Sequence, residues 1–319
     1  MFIVAHAVDA QPVTIKFQLI YGILLLMNLN YNLNDNAANI AQQSLRLSQQ
    51  HYENFPVASI LMPAKLREPI SLIYAFARRA DDFADEGDLS IEQRLTLLQS
   101  FRDELDLIRA YIKPQTSFFE ILGKMVREKS LPLDAFYDLL DAFSQDVVKT
   151  RYANYAEVLD YCKRSANPIG RLLLHLYGMA TPSNILLSDH ICSALQLINF
   201  LQDIAIDVQK NEGKSRIYLS QDEIQTFGIT EAQIKYGNVD ECWQTFMQFN
   251  IQRTRKLLHS GKPLGRILKG RIGLEMRLII AGGERILDKL ERVQGDVFAH
   301  RPALNKLDWL LVIAQALKF

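Results

Sequence analysis

Residues 183–211, SNILLSDHICSALQLINFLQDIAIDVQKN, constrain the fold more than any other stretch of the chain. Leu195, Leu197, Ile198, Phe200, Leu201, Ile204, Ala205 and Ile206 leave this helix almost no polar side, and a helix apolar all round must be central and buried. From about residue 37 onward, apolar residues recur at spacings of three and four nearly everywhere. The stretches SIEQRLTLLQSFRDELDLIRAYI and PLDAFYDLLDAFSQDVVKT are examples, and further helices are expected over about 239–260, 266–293 and 304–318. Pro69 is a natural first-turn residue for a helix running through 86, with Gly87 as its stop. Pro168, inside YAEVLDYCKRSANPIGRLLLHLYGM, predicts a kink or break. Ser220 and Glu223 have capping-box spacing. No strand run, internal repeat or G-x-G-x-x-G loop stands out. The expected class is therefore all-α: one domain over 41–319, its helices packed around a central space, preceded by a poorly defined N-terminal extension over 1–40.

Within that extension, FQLIYGILLLM (17–27) has the length of a signal core but lacks a basic lead and a small-x-small cleavage site. It is too short to cross a bilayer, and Met27 is an alternative start. Lys+Arg and Asp+Glu both number 36, so no basic excess recommends a nucleic-acid partner. Cys162, Cys192 and Cys242 form no C-x-x-C pair and read as buried free thiols.

Against this apolar background, two polar stripes stand out. In IYAFARRADDFADEG (73–87), Tyr74, Arg78, Asp81 and Asp85 share one helix face, among Ala75, Phe76, Ala77, Ala80, Phe83 and Ala84. Asp81, Asp82, Asp85 and Glu86 crowd the C-terminal end, where the helix dipole disfavours anions. In the central helix, Gln196, Asn199, Asp203 and Asp207 form a second such face. Buried carboxylates without partners are severely penalised, so two such rows facing each other call for cations between them. Hard oxygen donors at this spacing suit Mg²⁺, which keeps waters and bridges to phosphate oxygens. A lone D-x-x-x-D is ordinarily a solvated helix end; two of them inside apolar helices are not so easily dismissed. A di-iron bundle would need Glu-x-x-His on two helices, and the chain has none. Lys214 and Arg216 follow the second stripe directly, with Tyr218 beyond, and can clamp a diphosphate together with Arg78. Lys163, Arg164 and Arg171 are further basic candidates.

These residues resemble the squalene/phytoene synthase family of head-to-head prenyl synthases. Tyr74-x-x-x-Arg78-x-x-Asp81-x-x-x-Asp85 is similar to its first aspartate-rich motif, and Asn199-x-x-x-Asp203-x-x-x-Asp207 to its second, with Gln196 one turn before. YCKRSANPIG (161–170) and RIYLSQDEI (216–224) match further family stretches, and the likeness covers about residues 45–300. HYENFPVAS (51–59) and INFLQDIAIDVQKNEGKSRIYL (198–219) are similar to the bacterial hydroxysqualene synthase branch of hopanoid pathways. At 51–55, phytoene and dehydrosqualene synthases carry serines that touch a diphosphate; this chain has Tyr52 and Asn54.

The resemblance implies an isoprenoid (terpene) synthase-like bundle around a central cavity. It further implies Mg²⁺ on Asp81, Asp85, Asn199, Asp203 and Asp207, and substrate contacts from Asn54, Phe55, Arg78, Gln196, Phe200, Lys214, Arg216 and Tyr218. Tyr161 and Tyr74 are the implied catalytic candidates, through cation–π contact or proton handling. The implied substrate is presqualene diphosphate and the product hydroxysqualene, with no requirement for NADPH. The alternatives are squalene, dehydrosqualene or phytoene synthesis, and a non-catalytic assembly-factor-like member of the fold. A head-to-tail prenyltransferase is a further rival: Asp81-Asp82-x-x-Asp85 fits it, but a second D-D-x-x-D is missing. The protein is expected to be cytoplasmic, in peripheral contact with a membrane. Its last helix, KLDWLLVIAQAL, either caps the core or rests on lipid.

Overall fold

The central helix lies where its composition demands. In the computed structural model, which describes residues 63–209 and 215–319, the path begins with α1 (Ala64–Asp85), α2 (Ile91–Arg109), α3 (Ser117–Glu128) and α4 (Asp134–Val148). A short strand β1 (Arg151–Tyr152) precedes α5 (Tyr155–Ser165), α6 (Asn167–Leu176) and the central α7 (Pro182–Gln209). Strand β2 (Ile217–Ser220) leads into α8 (Gln221–Thr226), α9 (Glu231–Tyr236), α10 (Glu241–Gly261), α11 (Leu264–Ile267), α12 (Gly270–Arg292) and α13 (Lys306–Leu317). By length and hydropathy α7 would span a bilayer, yet 83% of its most apolar window is buried inside the protein. Helices α5, α6, α10 and α12 all pack on it.

Two glycines set how closely they approach. A Cβ at Gly170 of α6 would lie 2.3 Å from Ser188 Oγ and 2.6 Å from Cys192 Sγ, and one at Gly261 of α10 would lie 2.6 Å from the Leu187 carbonyl oxygen. Neither position tolerates a larger side chain without opening the helix pair. A second layer, α1 to α4, closes around Phe76, Phe101, Phe119 and Phe136, whose rings pack mostly edge to face.

Several sequence expectations are met and others are corrected. The helix breaks at Pro168: α5 stops at Ser165, and α6 starts afresh with proline in its first turn. Helix α1 begins at Ala64, ahead of Pro69, which lies inside it at the cost of one hydrogen bond near the helix start. The helix ends at Asp85, one residue short of the expected 86; Glu86 is extended, and Gly87 adopts φ +73° in the left-handed region that releases the chain. The capping box at Ser220 does not form, because its hydroxyl donates to the Glu223 carboxylate rather than accepting a backbone N–H. That carboxylate in turn receives Arg253. Two strands exist where none was expected. They pair in parallel, Arg151 with Ile217 and Tyr152 with Ser220, and are too short to carry a visible alternation. Cys162 and Cys192 are buried free thiols, but Cys242 is exposed.

Candidate active site

The C-terminal end of α1 brings its acids into the interior. Asp81 is 4% exposed and the Asp85 side chain 5%. The dipole penalty is offset by a residue sequence reasoning missed. Arg94, buried in α2, donates from Nη1 to the Phe83 and Glu86 carbonyls, from Nη2 to Gly87 O at 2.7 Å and from Nε to Leu89 O. One guanidinium thus satisfies the carbonyls at the end of α1 and lays positive charge against its negative pole. On the flank, Arg78 reaches Asp82 at 2.7 Å, Glu86 at 3.3 Å and Asp81 at 3.9 Å. Burial nevertheless pushes the Asp82 carboxyl up to about 6, against the pull of Arg78.

The second row lies on the face of α7 that carries Gln196, Asn199, Asp203 and Asp207, all of them buried. Arg216, itself buried, joins the two rows. Its Nη2 donates to Asp85 Oδ1 at 2.7 Å, and its backbone N–H donates to the Asp207 carbonyl at 3.2 Å. The parallel pairing of β1 and β2 holds Arg216 there, with Ile217 N–H donating to Thr150 O at 3.0 Å. The acids of α1 and of α7 therefore belong to one buried site, not to opposite outer flanks. Arg301, 98 residues beyond Asp203 in the chain, binds it through Nε at 2.7 Å. Nothing in the local sequence marks Arg301 for this role, because its partner lies on another helix.

Behind Arg216 stands an aromatic cluster. Phe200 and Tyr218 stack with ring centroids 4.0 Å apart and planes 2° from parallel, and Tyr161 lies 5.5 Å from Tyr218 and 6.0 Å from Phe200. Two hydroxyls of this cluster converge on Asp146 of α4: Tyr161 donates to Oδ2 at 2.5 Å and Tyr218 to Oδ1 at 3.0 Å. Tyr161 is fully buried, and burial together with Asp146 raises its hydroxyl well above the ordinary tyrosine range. It stays protonated there, with its hydroxyl donated to Asp146 and its ring beside Phe200 and Tyr218. The Tyr218 hydroxyl likewise donates to Asp146. Tyr74 is buried on α1, on the face carrying Asp81. Arg164 and Arg171 are engaged elsewhere, with Asp160 and Asp189. Asn54, Phe55 and Lys214 lie outside the described residues.

The donor set fits a divalent cation of hard character. Among the described residues no three His, Cys, Asp or Glu side chains converge into a ready-made cage. An ion bound to one row must therefore draw further oxygens from water or from a ligand, as Mg²⁺ does when it bridges to phosphate. Buried polar atoms also await a ligand: both amide atoms of Gln196, and Nε and Nη1 of Arg216, have no hydrogen-bond partner.

A helical bundle with two acid rows, bridged by Arg216 through its side chain to one and its backbone to the other, and an aromatic cluster nearby is the architecture of the all-α isoprenoid-synthase class. The squalene/phytoene synthase family model matches residues 48–308. The chain belongs to that family, whose chemistry is head-to-head prenyl-diphosphate condensation. It is 33% identical to a hydroxysqualene synthase of Rhodopseudomonas palustris, over 84% of this chain and 89% of that protein. It is 30% identical to a phytoene synthase of Arthrospira platensis, over 80% of this chain and 85% of that protein. Among solved structures, squalene synthase HpnC from Alicyclobacillus acidocaldarius superposes with a TM-score of 0.73 at 30% identity, covering 81% of this chain and 95% of that one. A dehydrosqualene synthase in complex with ligand, 17% identical, shares the fold with a TM-score of 0.73.

Proposed function

We propose that the protein converts presqualene diphosphate to hydroxysqualene and diphosphate in a Mg²⁺-dependent reaction that needs no NADPH. The observation that carries this reading is the joining of the two buried acid rows through Arg216. Asp81, Asp85, Asn199, Asp203 and Asp207 would hold Mg²⁺, which supplies Lewis-acid neutralisation of the departing diphosphate. Arg216 adds a guanidinium whose Nε and Nη1 are available for phosphate oxygens. Breaking the C–O bond to diphosphate leaves a cyclopropylcarbinyl cation, which rearranges and is captured by one water; loss of a proton from that water gives the alcohol. The faces of Phe200, Tyr161 and Tyr74 can stabilise the cation by about 0.5–2 kcal/mol each, while the surrounding apolar side chains limit where water can reach it. Gln196, with an unpartnered amide one turn before Asn199, is the polar group we assign to orient the reacting segment. Hydroxysqualene synthase relatives at 30–33% identity support this choice of substrate.

A second reading is synthesis of phytoene or dehydrosqualene from two prenyl diphosphates, and the phytoene synthase relative favours it. Incubation with presqualene diphosphate and Mg²⁺, with and without NADPH, followed by mass spectrometry of the products, separates the two. The expected result is a C30 alcohol in both samples. Squalene appearing only with NADPH, or efficient consumption of farnesyl or geranylgeranyl diphosphate alone, overturns the first reading.

A further inference from the structure

Helix α13 has one apolar face engaged and another turned outward. On the engaged side, Val312 and Ala316 pack with Leu278 and Ala281 of α12, while Asp308 receives Arg285 Nε at 2.7 Å and Lys289 Nζ at 2.5 Å. On the other side Leu307, Leu310, Leu311 and Leu317 are 72, 64, 52 and 69% exposed. Single exposed leucines are ordinary, but four on one twelve-residue helix form a patch that calls for an occupant.

Charge identifies that occupant. The Phe319 ring lies 5.0 Å from Lys262 Nζ and 6.0 Å from Arg266 Cζ, which fastens the end of α13 to the corner between α10 and α11. Residues 242–274 contain seven Lys and Arg and no Asp or Glu, in a chain whose net charge is zero. Arg253 and Arg255 are taken up by Glu223 and by Glu284, Asp288 and Glu291. Lys262, Arg266 and Lys269 form no ion pair with a described residue, and Arg266 and Lys269 are exposed. Lys306 and Lys318 flank the leucines at the two ends of the helix.

We propose that this face docks the protein on an anionic lipid bilayer, with α13 lying in the headgroup plane, its leucines inserted and its cationic rim at the level of the phosphates. At about 18 Å, α13 is too short to cross a membrane but long enough to lie along one. A second copy of the chain is a poorer occupant. Two-fold pairing of this face on itself would set its cations against the same cations, and residues 242–274 supply no acid to relieve them.

Co-sedimentation of the full chain with vesicles tests the proposal without any substrate, so its outcome is independent of the assigned reaction. Binding is expected to vesicles containing about 30% phosphatidylglycerol, to be weak on phosphatidylcholine alone, and to fade toward about 0.5 M NaCl, where screening shortens to a few ångströms. The L310Q/L311Q variant should bind about tenfold less tightly, and R266Q/K269Q about fivefold less for each charge removed. I91Q, an equally exposed apolar residue on α2, should bind like the parent. Thermal melts establish that each variant is folded, and if L310Q/L311Q melts early, R266Q/K269Q decides the matter. Equal binding to neutral and anionic vesicles, undiminished binding by folded variants, or a concentration-dependent dimer abolished by L310Q/L311Q each overturns the proposal.

Discussion

Asp85 and Glu275 are both buried carboxyl groups, and their surroundings are opposite. Asp85 lies 2.7 Å from a buried guanidinium, in a site with three further acids and three arginines. Glu275, on α12, has neither carboxylate oxygen hydrogen-bonded, and burial alone pushes it up to about 8. The first arrangement keeps charge in the interior, ready to be balanced by a cation and an anionic ligand. The second gives charge up and keeps a proton. Burial by itself is therefore no mark of function in this protein. What distinguishes the site is the company of cations around its acids.

The largest expected effect falls on the acid rows. D81A and D203A should each lower kcat/KM by about 10³-fold or more, equivalent to roughly 4 kcal/mol of transition-state stabilisation. D81A should melt close to the parent, since Arg78 keeps Asp82 and Glu86, whereas D203A should melt somewhat lower because it leaves Arg301 without its 2.7 Å carboxylate. Product formation from presqualene diphosphate within tenfold of the parent would place the chemistry elsewhere. It would also favour the assembly-factor reading of the fold.

Next comes Glu275, where the comparison predicts a pH signature. A carboxyl raised from 4.5 to about 8 leaves stability intact below its unfolded value and erodes it as pH climbs from 4.5 toward 8. At pH 7 the erosion amounts to about 3 kcal/mol. E275Q cannot ionise, so it should match the parent near pH 4.5 and exceed it by about that amount at pH 7. Denaturant titrations at pH 5 and 8 provide the check. A stability gap that does not change with pH would mean that Glu275 is not protonated in the folded protein.

The same contrast accounts for what the sequence could and could not reveal. Asp81, Asp85, Asp203 and Asp207 announced themselves because their spacing is local and the residues between them are apolar. The burial of α7 and the break at Pro168 were legible for the same reason: each follows from neighbours within one or two turns. Arg94, Asp146 and Arg301 were missed because their meaning depends on distant partners. In DAFYDLLDAFSQDVV, Asp146 looks like the other acids of an amphipathic helix, and only Tyr161 and Tyr218, 15 and 72 residues on, single it out. Strands β1 and β2 escaped notice because two and four residues are too few to display a period of two. The outer face of α13 is a mixed case. The sequence offered core cap and lipid contact as alternatives, and the helix has one side suited to each.

The smallest effect expected is at Tyr161, and it tests whether the aromatic cluster works through its faces or its hydroxyls. Y161F keeps the ring beside Phe200 and Tyr218 but removes one of two donors to Asp146. Loss of a buried hydrogen bond to a charged group should cost about 1.5–3 kcal/mol of stability, softened because Tyr218 still donates at 3.0 Å. Turnover should fall less than about fivefold, since the cation–π surface is unchanged. Y161L, which removes the ring as well, should lose more turnover than Y161F, by about one cation–π contact's worth of rate, or roughly tenfold. If Y161F instead loses turnover as heavily as D81A, the hydroxyl handles a proton during the reaction. The hydrogen bond to Asp146 would then have to open in the loaded enzyme, and Tyr161 with Asp146 would join Asp85 as a buried group whose partner, not its burial, marks it as functional.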